Sequence, residues 1–266
     1  ADGLNAMGRP STIPSALITL ALLAPALAVA GTVVTSESTA DGVQTLAVQD
    51  GRVRVEPERD GAPALLFAAQ AGRLVLLNRP AKQYNVIDRE RLATMAERVT
   101  AARERLQRQR EAAVSDAERA RLQRRLARLP RAGGPSIALA AAGKSRTLDG
   151  RSCQMVTARI DGEATHRLCL APLPALGLDA ATTATLGALF DFLARLRNLL
   201  RSAGATPFDA RVVRAALERR SAFPVRIERL ADGATWTVRG VERRDLPAEH
   251  FRVPDDFTEG ARMGDG

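Results

Sequence analysis

The chain has 266 residues, 45% of them hydrophobic and 26% charged, proportions that exclude wholesale disorder and fit one folded domain with or without an insertion. Basic side chains outnumber acidic ones 39 to 30, a net charge of +9 that favours anionic partners, and only two of the 39 are lysines. Two histidines, two cysteines and the lack of a glycine-rich phosphate loop leave little for catalysis, and no cofactor is expected.

Residues 15–30, SALITLALLAPALAVA, read as a secretory signal. The apolar run at 16–24 is too short to span a hydrocarbon core of ~30 Å, Pro25 interrupts it, and Ala28-Val29-Ala30 offers the small side chains a signal peptidase accepts. Cleavage is predicted after Ala30. Arg9 supplies the positive leader and Met7 is the expected start; a membrane anchor or a buried helix is the competing reading. Gly31 rather than a cysteine follows the cleavage position, so a soluble exported product is expected. Without Arg9 and Asp2 it keeps 38 basic against 29 acidic side chains, still +9. Outside the cytoplasm that charge favours lipid head groups, lipopolysaccharide or acidic polymers, and no nucleic acid partner is expected.

Asp-Gly pairs then punctuate the chain at Asp41-Gly42, Asp50-Gly51, Asp60-Gly61, Asp149-Gly150, Asp161-Gly162 and Asp232-Gly233, each predicting a tight turn. Residues 32–39, 43–48, 52–56, 64–69 and 73–77 are rich in Val, Leu and Thr at strand length, which predicts an antiparallel meander. Arg52-Val53-Arg54-Val55-Glu56 alternates most cleanly, with Val53 and Val55 expected inward and the charges on a solvated face.

From Asp88 to Leu129 the period becomes helical. Leu92, Met95, Val99 and Leu106 form one stripe, Leu122, Leu126 and Leu129 another, and Ser115-Asp116-Ala117-Glu118 has the form of a capping box that starts a second helix. The resulting helical hairpin carries 13 arginines against 7 acidic residues over 88–131 and is closed by Pro130 and Gly133-Gly134. It reads either as a solvated insertion held by local ion pairs or as a basic element lying on an anionic membrane surface.

Strands resume at 136–140 and 145–148. Segments 153–160 and 163–170 then alternate about Asp161-Gly162. A three-residue loop with Gly162 left-handed makes paired positions sum to 322 and sets Cys153 opposite Cys169, within disulfide reach; a two-residue loop puts them on opposite faces. The disulfide is the favoured reading, closing a loop of about 15 residues and contributing about 3 kcal/mol in an oxidising compartment. A zinc site using His166 is disfavoured, because residues three apart on a strand point to opposite faces, and His166 joins Val156, Ala158 and Leu168 instead. No metal is expected.

A third helix is predicted from the cap Asp179 through Leu186, Leu189, Phe190, Leu193, Leu196 and Leu200, ending before Gly204. It is either packed on the sheet or a lid over an apolar groove. A shorter helix over about 208–219 precedes a last hairpin, 224–230 and 235–242.

This closing stretch, Phe223-Pro224-Val225-Arg226-Ile227-Glu228, then Thr235-Trp236-Thr237-Val238, then Phe251-Arg252-Val253-Pro254, resembles the periplasmic lipoprotein-carrier superfamily, as does the meander around Asp50-Gly51-Arg52-Val53-Arg54-Val55-Glu56. The likeness is one of layout over residues 31–258 and implies an α+β fold: a curved antiparallel sheet, an unclosed half-barrel, with helices over its concave side. The hairpin at about 88–131 is an insertion in that plan, and 259–266 a flexible tail. The low aromatic content, 3%, and the Arg-rich hairpin depart from the family's carriers.

The resemblance implies a periplasmic, non-catalytic protein that binds a lipid, an acylated protein or a similar amphiphile. The candidate cavity lining is Leu65, Phe67, Leu74, Leu76, Val156, Leu168 and Trp236, and a monomer is expected. The alternative is an envelope protein-interaction or stress-sensing module on the same sheet. No enzyme is expected: neither His166 nor His250 lies in a nucleophile motif, and the small polar cluster Glu249, His250, Asp255 and Asp256 sits at a chain end.

Overall fold

The computed structural model describes residues 30–130, 134–199 and 209–260. The signal segment ahead of Ala30, Gly133, Leu200, Gly204, Phe208 and the tail beyond residue 260 lie outside them. Six strands come first: β1 (Gly31–Ser38), β2 (Gly42–Gln49), β3 (Arg52–Pro57), β4 (Ala64–Ala68), β5 (Arg73–Asn78) and β6 (Gln83–Ile87). Helices α1 (Arg89–Ala112) and α2 (Asp116–Arg128) follow, then β7 (Ile137–Ala141), β8 (Arg146–Leu148), β9 (Arg151–Ile160) and β10 (Glu163–Pro172). Helices α3 (Ala180–Leu199) and α4 (Ala210–Arg220) precede β11 (Ala222–Arg229), β12 (Thr235–Arg244) and β13 (Thr258–Glu259).

The strands make one curved, open sheet in the order β13-β6-β5-β4-β3-β2-β1-β12-β11-β10-β9-β7, with β8 also pairing β9. This is the expected α+β architecture. Two meanders are joined where β1 pairs β12 through a bulge between Thr35 and Ser36. Pairing is antiparallel except between β13 and β6, which is parallel and was not foreseen. The six Asp-Gly pairs mark the turns for a backbone reason. Each glycine has φ between +71° and +85°, a region without steric cost only for glycine, and Asp50, Asp149 and Asp161 are also positive, as the twist of a two-residue hairpin demands.

The core lies between the sheet and α3 with α4. Leu186, Leu189 and Phe190 of α3 and Val212 and Val213 of α4 are buried with Val53, Phe67, Leu74, Val156, Leu168, Ile227 and Trp236 of the strands. Phe67 meets Phe192 with ring centroids 5.5 Å apart, and Phe223 meets Trp236 at 6.1 Å. Helix α3 starts where Asp179 accepts a hydrogen bond from the Thr182 amide at 2.7 Å, and Arg243 donates to the same carboxylate at 2.7 Å. Those contacts, the Thr182 amide first, hold the Asp179 carboxyl at about 2.

The opposite face is not uniformly solvated. Ala64, Leu66, Val75 and Leu77 form a second cluster there, covered by Tyr84, Val253 and Phe257, so the Phe-x-Val-Pro phrase folds back as a strap over β4 and β5. Arg54, expected in solvent, lies half-buried under that strap and donates to the His250 carbonyl at 2.9 Å and to Glu56. Burial lowers its pKa. Strand β6 escaped the sequence reading because it divides its apolar residues, sending Ile87 to the main core and Tyr84 and Val86 to the strap.

The helical insertion has its own small core of Leu106, Ala113, Leu122 and Leu126. Asp88 caps α1, accepting from the Arg91 amide at 2.8 Å, and Ser115 caps α2, accepting from the Glu118 amide at 3.2 Å, so both predicted starts are present.

Candidate anion-binding groove

The seven residues read as a cavity lining do share the helix-covered face. Leu65 pairs with Leu76 and Phe67 with Leu74, while Val156, Leu168, Ile227 and Trp236 form one row across β9, β10, β11 and β12. Phe67, Leu74, Val156, Leu168 and Trp236 are buried in the main core, and Leu65 and Leu76 pack against it. Helices α3 and α4 occupy the concave side at these positions, so α3 is a packed layer there.

A groove of about 750 Å³ lies on the other face of the sheet. Alternation places it. In β10, His166, Leu168 and Leu170 turn to the core, which sends Arg167 and Cys169 outward; in β11, Val225 and Ile227 turn in and Arg226 and Glu228 out. Register then sets Arg226 beside Cys169 and Glu228 beside Arg167, while Met155 flanks Cys169 on the other side. Residues 142–145 and β8 form the wall, bringing Lys144, Ser145, Arg146, Thr147 and Leu148 to the rim, with the connector anchored where the Ala142 amide donates to the Met155 carbonyl at 2.9 Å.

Cys169 and Met155 supply the apolar floor, with Leu148 at its edge. Cys153 and Cys169 are bonded, with Cα atoms 5.3 Å apart. The register differs from the one expected. Ile160 pairs with Glu163 across a two-residue turn, giving a sum of 323, and Thr165 is then an extra residue in β10, so that from His166 onward paired positions sum to 324. Cys169 therefore pairs with Met155, and the disulfide crosses the ladder diagonally. The bulge restores the shared face that the two-residue turn alone would have removed.

Four cations and one carboxylate line this groove. Arg167 donates to Glu228 at 3.2 Å. Lys144, Arg146 and Arg226 have no carboxylate or carbonyl partner among the described residues. Beyond Asp149, Arg239 bridges that carboxylate at 3.3 Å and Glu37 at 2.8 Å, which ties off the adjoining charge. The groove can hold an anion against three free cations while its floor accepts apolar matter.

The histidines stand elsewhere. His166 is buried in the main core, its Nδ1 3.0 Å from the Thr165 hydroxyl, and points away from the cysteines as expected. Burial lowers its pKa, against the raising effect of Asp209. Asp209 is 3% exposed and caps α4. Burial would raise its pKa, but hydrogen bonds from Arg211 and the charge of Arg197 outweigh that and lower it. His250 lies by Arg54 and Arg244 and its pKa is lowered, by burial first. Asp256 of the terminal polar cluster pairs with Lys82 at 2.9 Å.

No protein-family model and no curated protein matches the chain. Among solved structures it is similar to a chain described as the structure of PNGF-II in a C2 space group, with 6% identity and a TM-score of 0.36 over 87% of this chain and 31% of that one. The chain thus spans less than a third of that structure's length, and a likeness at this level carries no functional argument.

Proposed function

We propose that this protein is an exported, non-catalytic binding protein for an amphiphile with an anionic head, held in the groove beside Cys153 and Cys169. The observation that carries this reading is the pairing of an apolar floor, Cys169 and Met155 with Leu148 at its edge, with three cations that lack a carboxylate partner among the described residues, Lys144, Arg146 and Arg226. Apolar contact with the floor adds about 25 cal/mol per Å² removed from water, and the cations fix the head group. The disulfide supports an oxidising compartment, in keeping with a periplasmic address and with the carrier-like layout. Among the described residues the one carboxylate of the lining, Glu228, is engaged by Arg167, and both sulfurs are bonded, which favours binding over catalysis.

The test is mass spectrometry, under non-denaturing conditions, of the full chain exported by a bacterial host, followed by titration with short-chain phosphatidylglycerol. The expected result is a bound anionic amphiphile whose occupancy falls about tenfold or more in Arg146→Gln/Arg226→Gln, since each charged hydrogen bond is worth about 1.5–3 kcal/mol. A protein that is isolated bare and does not take up the lipid refutes the reading. An envelope protein-interaction or stress-sensing module is then the better account. The specific observation in its favour is that Phe67, Leu74, Val156 and Leu168 are buried in one core with α3 and α4, where a carrier-like layout would place a cavity.

A further inference from the structure

Helix α1 sorts its charges into rows. Glu90, Glu97, Glu104 and Glu111 recur every seven residues, and Arg91, Arg98 and Arg105 recur at the same interval one position later. Seven residues are close to two turns, so each set forms a stripe, and the offset of one residue turns the basic stripe about 100° from the acidic one. On α2, Arg121, Arg125 and Arg128 are spaced by four and three and share a stripe of their own.

Packing through Leu106, Ala113, Leu122 and Leu126 brings these basic stripes together. Arg105, Arg125 and Arg128 line one cleft of about 500 Å³ with Gln109 and the apolar Leu106 and Leu129, and among the described residues its lining holds no carboxylate. Other arginines of the hairpin are consumed in closing it: Arg103 donates to the carbonyls of Leu126, Leu129 and Pro130, and Arg119 donates to Asp116 and to the Ala113 carbonyl. Arg98, Arg105, Arg121, Arg125 and Arg128 have no such partner among the described residues and are exposed. Three guanidinium groups around one cleft repel each other until an anion enters. At the tip between the helices, Val114 is 92% exposed.

We propose that the α1–α2 hairpin docks on an anionic lipid bilayer, with Arg105, Arg125 and Arg128 gathering phosphate head groups and Val114 supplying an apolar tip. Charge complementarity selects this occupant, because the acidic row of α1 stands apart from the basic one and leaves an uncompensated positive surface. The apolar cleft floor suits the glycerol and acyl part below a phosphate. Single-stranded nucleic acid is the poorer fit, since residues 88–131 include no Phe, Tyr or Trp on which bases could stack. Among the described residues no helix is long and apolar enough to cross a membrane, and docking is peripheral. The site is separate from the groove at the disulfide and does not depend on it.

The experiment is cosedimentation of the full chain with vesicles of phosphatidylglycerol and phosphatidylcholine, repeated with pure phosphatidylcholine, at high salt, and with a single-stranded oligonucleotide in place of vesicles. Binding is expected to the anionic vesicles alone and to vanish at high salt. Each arginine near the surface is worth roughly fivefold, so Arg105→Gln/Arg125→Gln/Arg128→Gln should weaken binding on the order of 100-fold, while Glu97→Gln/Glu104→Gln does not weaken it. The single changes Arg105→Gln and Val114→Asp, both at exposed positions, each weaken it several-fold and keep the test intact if the triple variant fails to fold. Failure of the parent to bind, unchanged binding across these arginine and valine variants, or binding of the oligonucleotide without the vesicles overturns the proposal.

Discussion

Cys153 and Cys169 are bonded across β9 and β10 although neither is the other's ladder partner, because the extra residue Thr165 turns a register that would separate them into one that brings them to the same face. The turn and the bulge are thus complementary. Asp161-Gly162 adopts the two-residue form, and Thr165 supplies the one-residue correction that keeps His166, Leu168 and Leu170 in the core while Cys169 faces out.

The disulfide should contribute to stability through the loop it closes. With 16 positions separating the cysteines, Cys153→Ala/Cys169→Ala is expected to lose about 3 kcal/mol. Denaturant titration checks this, and the parent under strong reductant should show the same midpoint as the double variant. Equal midpoints for the oxidised parent and the variant would contradict the expectation.

Asp179 acts as the cap of α3 and the partner of Arg243. Replacing it with alanine should cost about 1 kcal/mol at neutral pH. Its folded-state pKa, about 2, lies below its ordinary value of 3.8. The stability it adds is therefore complete above the unfolded value and disappears as pH falls from about 4 through about 2. Measured as the difference between parent and Asp179→Ala, this contribution should shrink toward zero in that window, and a difference that persists at the acid end would show that the carboxylate is not its source.

His166 makes the fold acid-sensitive in a higher window. Burial lowers its folded-state pKa below 6.5, so the unfolded chain binds the proton more readily and stability declines as pH drops below about 6.5. The variant His166→Gln should flatten part of this decline between neutral and mildly acidic pH in chemical denaturation. An unchanged slope would place the sensitivity in other groups.

Helix α3 is a core layer rather than a lid at Leu189, which is fully buried against the sheet. Leu189→Ala should destabilise by about 2–5 kcal/mol through lost burial and the cavity left behind. A lid residue would cost far less, so a loss under about 1 kcal/mol in thermal or denaturant unfolding would return α3 to the reading of a movable cover.

The local structure of this protein was legible in its sequence wherever one residue type has a physical monopoly. Asp-Gly pairs mark turns because few residues tolerate the positive φ they require, Asp88, Ser115 and Asp179 mark helix starts because their oxygens satisfy otherwise unpaired amides, and alternation gives strand faces except where a bulge such as that at Thr165 shifts them. The α+β class and the choice of seven residues for a helix-covered face rest instead on the carrier-like layout that the closing stretch resembles, and the fold class is the one observed. Tertiary structure alone decided what meets each face. Whether Phe67 and Leu168 line a cavity or lie in a packed core, as Phe67 does against Phe192, depends on where α3 and α4 come to rest, which no local spacing encodes. The same holds for Arg54, whose alternation promised solvent until the C-terminal strap covered it, and for Arg226, whose place beside the disulfide depends on long-range pairing of β10 with β11. Burial is a property of the partner surface, and the partner is distant in sequence; for that reason the groove beside Cys169 appears only once the sheet is assembled.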